Sequence, residues 1–166
     1  MTDAAQNSPD HRMKAARARA RSAARLAATQ ALYQHDMEAT PVSQLLHEFH
    51  QHRLGAVIDD EDFDAAEYAG AEVEFFDDLV RGTIARLADV DAALGARLSD
   101  NWSLARLDKS MKAVLRVGAY ELIARADVHH SVAISEYVDV AKAFHEQREA
   151  GFVNGILDAV AKDVGR

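Results

Sequence analysis

No proline follows Pro41, and from Phe75 onward the apolar residues recur at three- and four-residue intervals. A chain of this kind has few ways to fold other than as packed helices, because the apolar face closes at the helical period and nothing interrupts it. Phe76, Leu79, Val80, Thr83, Ile84, Leu87, Val90, Leu94 and Leu98 predict one helix with a buried face, ended by Ser99-Asp100-Asn101. A second run, Leu104, Leu107, Met111, Val114, Leu115, Gly118, Leu122 and Ile123, predicts a long core helix. Gly118 near its middle costs about 1 kcal/mol against alanine, so it marks either a close approach by a neighbouring helix or simple tolerance. Two further runs follow, one through Ile134, Val138, Ala141 and Phe144 and one from Phe152 through Ile156, Leu157 and Val160 to Val164. Pro9 and Pro41 both sit where a helix can begin. No alternating segment reads as a strand, so the expected class is all-α.

The 166 residues suffice for one compact domain, or for two small helical subdomains sharing a core. With no cysteine there is no disulfide, thiol nucleophile or cysteine metal site, and no reason to expect an oxidising compartment. No signal-peptide core or membrane-length apolar stretch is present, so the expectation is a soluble, cytoplasmic protein without membrane contact. The Arg-rich start resembles a transit peptide in composition, but helical patterning continues from it into Ala31-Leu32-Tyr33 and assigns it to the fold.

Ten acids and no Lys, Arg or His lie between Asp59 and Asp78. They are read as a solvated loop that becomes the first turn of the Phe75 helix, since carboxylates suit helix N-termini and EF-hand spacing is missing. The run His47-Glu48-Phe49-His50-Gln51-His52 invites a zinc reading, but the fourth residue after His47 is Gln51, and Leu45, Leu46, Phe49 and Leu54 make the stretch amphipathic. It is expected to be a partly exposed helix. His129-His130 are read as turn and cap residues. There is no G-x-S-x-G, P-loop or dinucleotide fingerprint, so neither an enzyme nor a resident cofactor or metal is expected.

Charge is distributed unevenly. Arg12, Lys14, Arg17, Arg19, Arg21 and Arg25 give residues 1–35 a net +4, in a chain whose formal charge is -8, so the remainder carries -12. At about 100° per residue, Lys14, Arg17, Arg21 and Arg25 fall within roughly 80° of one another on a helix and span about 16 Å. Such a stripe matches a phosphate track, whereas Arg12 and Arg19 face elsewhere. Tyr33 lies about 12 Å beyond Arg25, and cations followed by an aromatic ring suit single-stranded RNA. Taken alone, a tyrosine there is more often a core residue, and a charged stripe can be no more than a solvated helix end.

Several blocks carry a resemblance to a known family. These are Arg17 to Tyr33 with Gln30-Ala31-Leu32-Tyr33, Lys112-Ala113-Val114-Leu115-Arg116-Val117-Gly118-Ala119-Tyr120-Glu121-Leu122, Val132-Ala133-Ile134-Ser135-Glu136, Ala141-Lys142 and Phe152-Val153-Asn154-Gly155-Ile156-Leu157-Asp158. In that order and spacing they resemble the NusB family of bacterial transcription antitermination factors. The resemblance implies a NusB-like all-α domain of two small bundles, about residues 10–98 with the basic first helix and about residues 104–164, packed around a long central helix. It implies binding of boxA-type ribosomal RNA leaders together with the ribosomal protein that acts as NusE, and indirect contact with other Nus factors and RNA polymerase; a homodimer is an open possibility. Carried over by position, Arg21, Arg25, Gln30, Tyr33, Phe152 and Phe144 become RNA-binding residues, with Arg17 and Lys14 added from the stripe. Four basic contacts predict a log–log salt slope near about -3. Ser22 departs from the family's arginine run, Ser135 from its asparagine, and His129 from its proline. Two alternatives stand beside this reading: the RNA-binding module of a ribosomal RNA methyltransferase, of which the chain to Arg166 shows no methyl-donor unit, and a protein-only adaptor.

Overall fold

The computed structural model describes residues 8–51, 63–99 and 103–166, with backbone alone over 63–71. Among them are seven α-helices and no strand: α1 (Pro9–Glu38), α2 (Val42–Phe49), α3 (Phe63–Ala85), α4 (Leu87–Gly95), α5 (Lys109–Ala124), α6 (His130–Phe144) and α7 (Gln147–Asp163), with a 3-10 turn at Leu104–Arg106. No described helix is long and apolar enough to cross a membrane.

Ser8 starts α1, its Oγ accepting from the His11 amide at 3.3 Å, and Pro9 takes the first turn, where its missing N–H costs nothing. Ala39 ends the helix in the left-handed region (φ 53°), with its amide on the His35 carbonyl. The helix changes character halfway. Residues 9–19 are largely exposed, whereas Ala24, Ala27, Ala28, Ala31 and Leu32 are buried. Their small side chains form one face at i, i+3, i+4 and let α3 and α5 pack closely.

Helix α5 is the centre, touching α1, α3, α4, α6 and α7. Val114, Leu115, Val117, Ala119 and Leu122 are buried around it, as expected of a helix covered on most sides. Gly118 marks a close approach: a Cβ there would lie 2.9 Å from Leu157 Cδ1 and 3.2 Å from Tyr137 Cγ. Arg116 ties α5 to α4 through Asp91, with bonds of 2.9 and 2.8 Å.

Several boundaries differ from the sequence expectation. The single helix read from Phe75 begins at Phe63, so the acids from Asp64 to Asp78 belong to a helix rather than to a loop; residues 59–62 lie outside the described residues. It also breaks at Arg86 (φ -107°, ψ 26°) and ends at Gly95. Thr83 Oγ1 donates to the Leu79 carbonyl at 2.5 Å, a back-bond of the kind that bends helices. The apolar spacing runs through the break because both halves bury the same side. The Leu104 run likewise starts as a 3-10 turn, and α5 begins only after Asp108, whose Oδ1 accepts from the Ser110 amide at 2.8 Å.

The histidine readings separate. His129 is the N-cap of α6, its Nδ1 accepting from the Ser131 amide at 3.2 Å. His47 is exposed on α2, and His50 Nε2 pairs with Asp77 Oδ1 at 2.6 Å; His52 lies outside the described residues. No group of ligands suited to a metal ion occurs among the described residues.

Candidate nucleic-acid interface

The basic stripe is presented on the exposed half of α1, but its members reach different depths. Lys14 is solvent-exposed and pairs loosely with Asp10 at 3.4 Å, and Arg17 is exposed. Arg21 is half-buried, with its guanidinium 4.6 Å from the centre of the Phe75 ring. Burial, then the like charges of Arg17 and Arg125, lower the Arg21 pKa. Crowded cations of this kind leave a local excess of positive potential that an anion relieves.

Arg25 is placed differently from the expectation that put it with the phosphate contacts. It is 2% exposed. Its Nε lies 2.9 Å from Glu121 Oε1 and its Nη2 3.0 Å from Oε2, a bidentate pair, and the Tyr137 hydroxyl donates to the same Glu121 at 2.9 Å. Glu136 stands 3.9 Å away. Although burial opposes it, Glu121 raises the Arg25 pKa, and burial beside the Glu121 charge pushes the Tyr137 hydroxyl up. Two of its five N–H donors are engaged by Glu121 and the residue is 2% exposed, so little of the guanidinium is open to a phosphate. Ser22, which interrupts the arginine run, donates back to the Ala18 carbonyl at 3.0 Å.

Two grooves follow one another along α1. In the first, Lys14, Arg17, Arg21 and the edge of Arg25 face His129, the N-cap of α6, and Val132 and Glu136 within it. The second is lined by Gln30, Tyr33 and Met37 of α1, Phe49 of α2, Ser110 of α5 and Phe144 at the end of α6. Tyr33 and Phe144 are 41% and 46% exposed, large rings left in solvent where burial is the usual fate. The first groove uses the start of α6 and the second its end, so α1 and α6 run side by side in the same sense. The Arg25–Glu121–Tyr137 cluster lies at the seam between them. Phe152 is half-buried against the core and lines neither groove.

Residues 22–162 match the sequence profile of the NusB family. The chain belongs to the NusB family. It is 65% identical over 148 residues to the transcription antitermination protein NusB of Sphingopyxis alaskensis, covering 89% of this chain and 96% of that one. Its fold is similar to that of T. maritima NusB, with a TM-score of 0.69, 31% identity and coverage of 88% and 93% of the two chains. It is also similar to NusB in a crystal structure of antitermination factors NusB and NusE in complex with dsRNA, with a TM-score of 0.68, 27% identity and coverage of 87% and 98%.

The NusB family match begins at Ser22, so Lys14, Arg17 and Arg21 precede it, whereas Arg25, Gln30, Tyr33, Phe144 and Phe152 fall inside. The exposed basic half of α1 is therefore described by its own chemistry. Sequence reasoning missed Phe75, whose ring faces Arg21, Arg25 and Arg125 at 4.6, 5.1 and 5.2 Å, and it missed Glu121. One signal was available for Glu121: it is a lone acid between Tyr120 and Leu122 on a helix otherwise apolar over that turn.

Proposed function

We propose that this chain is an RNA-binding transcription antitermination factor that takes boxA-type single-stranded RNA along the α1–α6 seam, together with the ribosomal protein that acts as NusE. The observation that carries this reading is the succession of a cationic groove and an aromatic one along a single helix. Phosphates suit the first, and unstacked bases suit rings left in solvent. Relatives named as antitermination proteins support the function, and the solved complex of NusB and NusE with dsRNA supports the class of partner. Exposed rings favour the single strand, since paired bases offer no free face to stack on.

In this reading Lys14, Arg17 and Arg21 contact phosphates, Gln30 meets a base edge, and Tyr33 and Phe144 stack bases. Arg25 instead holds α1 against α5 and α6. Binding, rather than catalysis, is the role this arrangement serves, in the cytoplasm where transcription takes place. The net charge of -8 opposes tight RNA binding by the chain alone, so the NusE partner strengthens it. Titration of boxA-type RNA, single- and double-stranded, with and without NusE and at two salt concentrations, tests the proposal. Three phosphate contacts give a slope of about -2 rather than about -3. Binding that ignores salt, or that prefers the duplex, contradicts it.

A further inference from the structure

The aromatic groove also contains a hydrogen-bonded chain that stacking does not use. Asp108 Oδ1 accepts from the Ser110 amide at 2.8 Å and from Ser110 Oγ at 2.9 Å, and Ser110 Oγ lies 2.8 Å from His145 Nε2. The two Ser110 hydrogen bonds, the amide first, hold the Asp108 carboxyl below its usual range, so it is an ionised acceptor. A serine hydroxyl has one proton, and here Asp108 takes it. Ser110 Oγ must therefore accept from His145, which puts the imidazole hydrogen on Nε2. That leaves Nδ1, which makes no hydrogen bond among the described residues, as an acceptor in the neutral ring and a donor in the cation.

Protonation at Nδ1 leaves the Asp108–Ser110–His145 chain intact. His145 shares this chain with Asp108 and ends α6, with its amide on the Ala141 carbonyl at 2.8 Å. Glu38 of α1 lines the same groove, and Glu48 of α2 is held by Gln34 and Gln44. Lys142 in the last turn of α6, Lys109 at the start of α5, and Glu146 and Arg148 around the start of α7 are exposed.

We infer that His145 is a further RNA contact, the polar wall beside Tyr33 and Phe144, which presents Nδ1 to an RNA oxygen and holds it more tightly when the ring is protonated. This rests on the RNA reading of the groove proposed above. It follows that RNA affinity rises on acidification, through a residue outside the basic stripe.

The test is a titration of fluorescently labelled single-stranded boxA-type RNA, with NusE present, at pH 8 and pH 6 and constant ionic strength. Wild type should gain about fivefold in affinity at pH 6, and His145→Gln should keep less than half of that gain. Arg17→Ala should bind more weakly at both pH values while preserving their ratio. A second measurement is independent of any variant: imidazole nitrogen NMR should find the hydrogen on Nε2 in the free protein, and added RNA should shift the His145 Nδ1 resonance. A full pH gain in His145→Gln, or an Nδ1 resonance that RNA leaves unmoved, overturns the assignment while the RNA reading stands. Failure of wild type to bind the RNA at either pH overturns both.

Discussion

Arg21 and Arg25 stand four residues apart on the same face of α1, yet one is an edge residue over the Phe75 ring and the other is sealed against Glu121 and Tyr137. Both guanidiniums lie near the same phenylalanine. Depth makes the difference. Between residues 21 and 25 the helix passes from solvent into the contact with α5 and α6, so one turn converts an edge cation into an internal strut. In the proposed reading the phosphate track therefore ends at Arg21, and Arg25 fixes where that track lies relative to the aromatic groove.

The largest expected effect comes from breaking the strut. Arg25→Ala leaves Glu121 as an uncompensated buried charge, and loss of one partner from such a pair costs about 3 to 5 kcal/mol. Denaturant unfolding checks this directly. Replacing the cluster as a unit, with Arg25→Met, Glu121→Leu and Tyr137→Phe together, should recover most of that loss, because matched apolar groups avoid the desolvation cost of the ions. If Arg25→Ala unfolds at the wild-type midpoint, the two arginines do not differ as described.

The stripe was legible in the sequence because facing follows from the 100° rotation alone; depth was not, because it depends on where α5 and α6 arrive. The same limit explains the helix boundaries. Apolar spacing located the core faces of α3 and α4 but not the break at Arg86, since both sides of the break bury the same face. Cap chemistry was local enough to read at His129, whereas the link from Asp108 through Ser110 to His145 joins residues far apart in the chain and shows only in the fold. Tyr33 was ambiguous for a related reason, as a ring on an amphipathic helix is core or ligand site according to what packs over it. Here α6 ends beside Tyr33 without covering it.

Next in size is the aromatic counterpart of the track. Tyr33→Ala should weaken RNA binding by about 1 to 3 kcal/mol, as loss of a stacked base does, with little change in unfolding because the ring is 41% exposed. Unaltered RNA affinity in a folded variant removes stacking from the reading.

A second pair of residues sharpens the contrast between satisfied and unsatisfied buried charge. Glu121 accepts from Arg25 and Tyr137, whereas Glu72 is buried with Oε1 unpartnered among the described residues, and burial pushes its pKa up to about 6. The folded state thus binds that proton more tightly than the unfolded chain does. The stabilising effect of protonation is complete below the unfolded value of 4.5 and is lost as pH rises through about 6. Glu72→Gln should therefore raise stability at pH 7.5 by about 1 kcal/mol, allowing for solvent screening, and leave it nearly unchanged at pH 4. Equal effects at both pH values exclude the ionised carboxylate as the cause.

The last contrast, small in stability and specific in its salt signature, belongs to Arg21. Its contact with Phe75 contributes about 0.5 to 1 kcal/mol as a partly exposed cation–π pair, so Arg21→Ala should unfold only slightly earlier than wild type and far later than Arg25→Ala. Its removal should make the log–log salt dependence of RNA affinity shallower by about 0.7, the signature of one lost phosphate contact on a single strand. Arg25→Lys offers the converse measurement, because a point charge keeps the buried positive charge while losing the bidentate fork. That variant should change unfolding and leave the salt slope alone. A slope that falls with Arg25→Lys and not with Arg21→Ala would place the phosphate on the buried arginine, and would require α1 to lift from α5 when RNA binds.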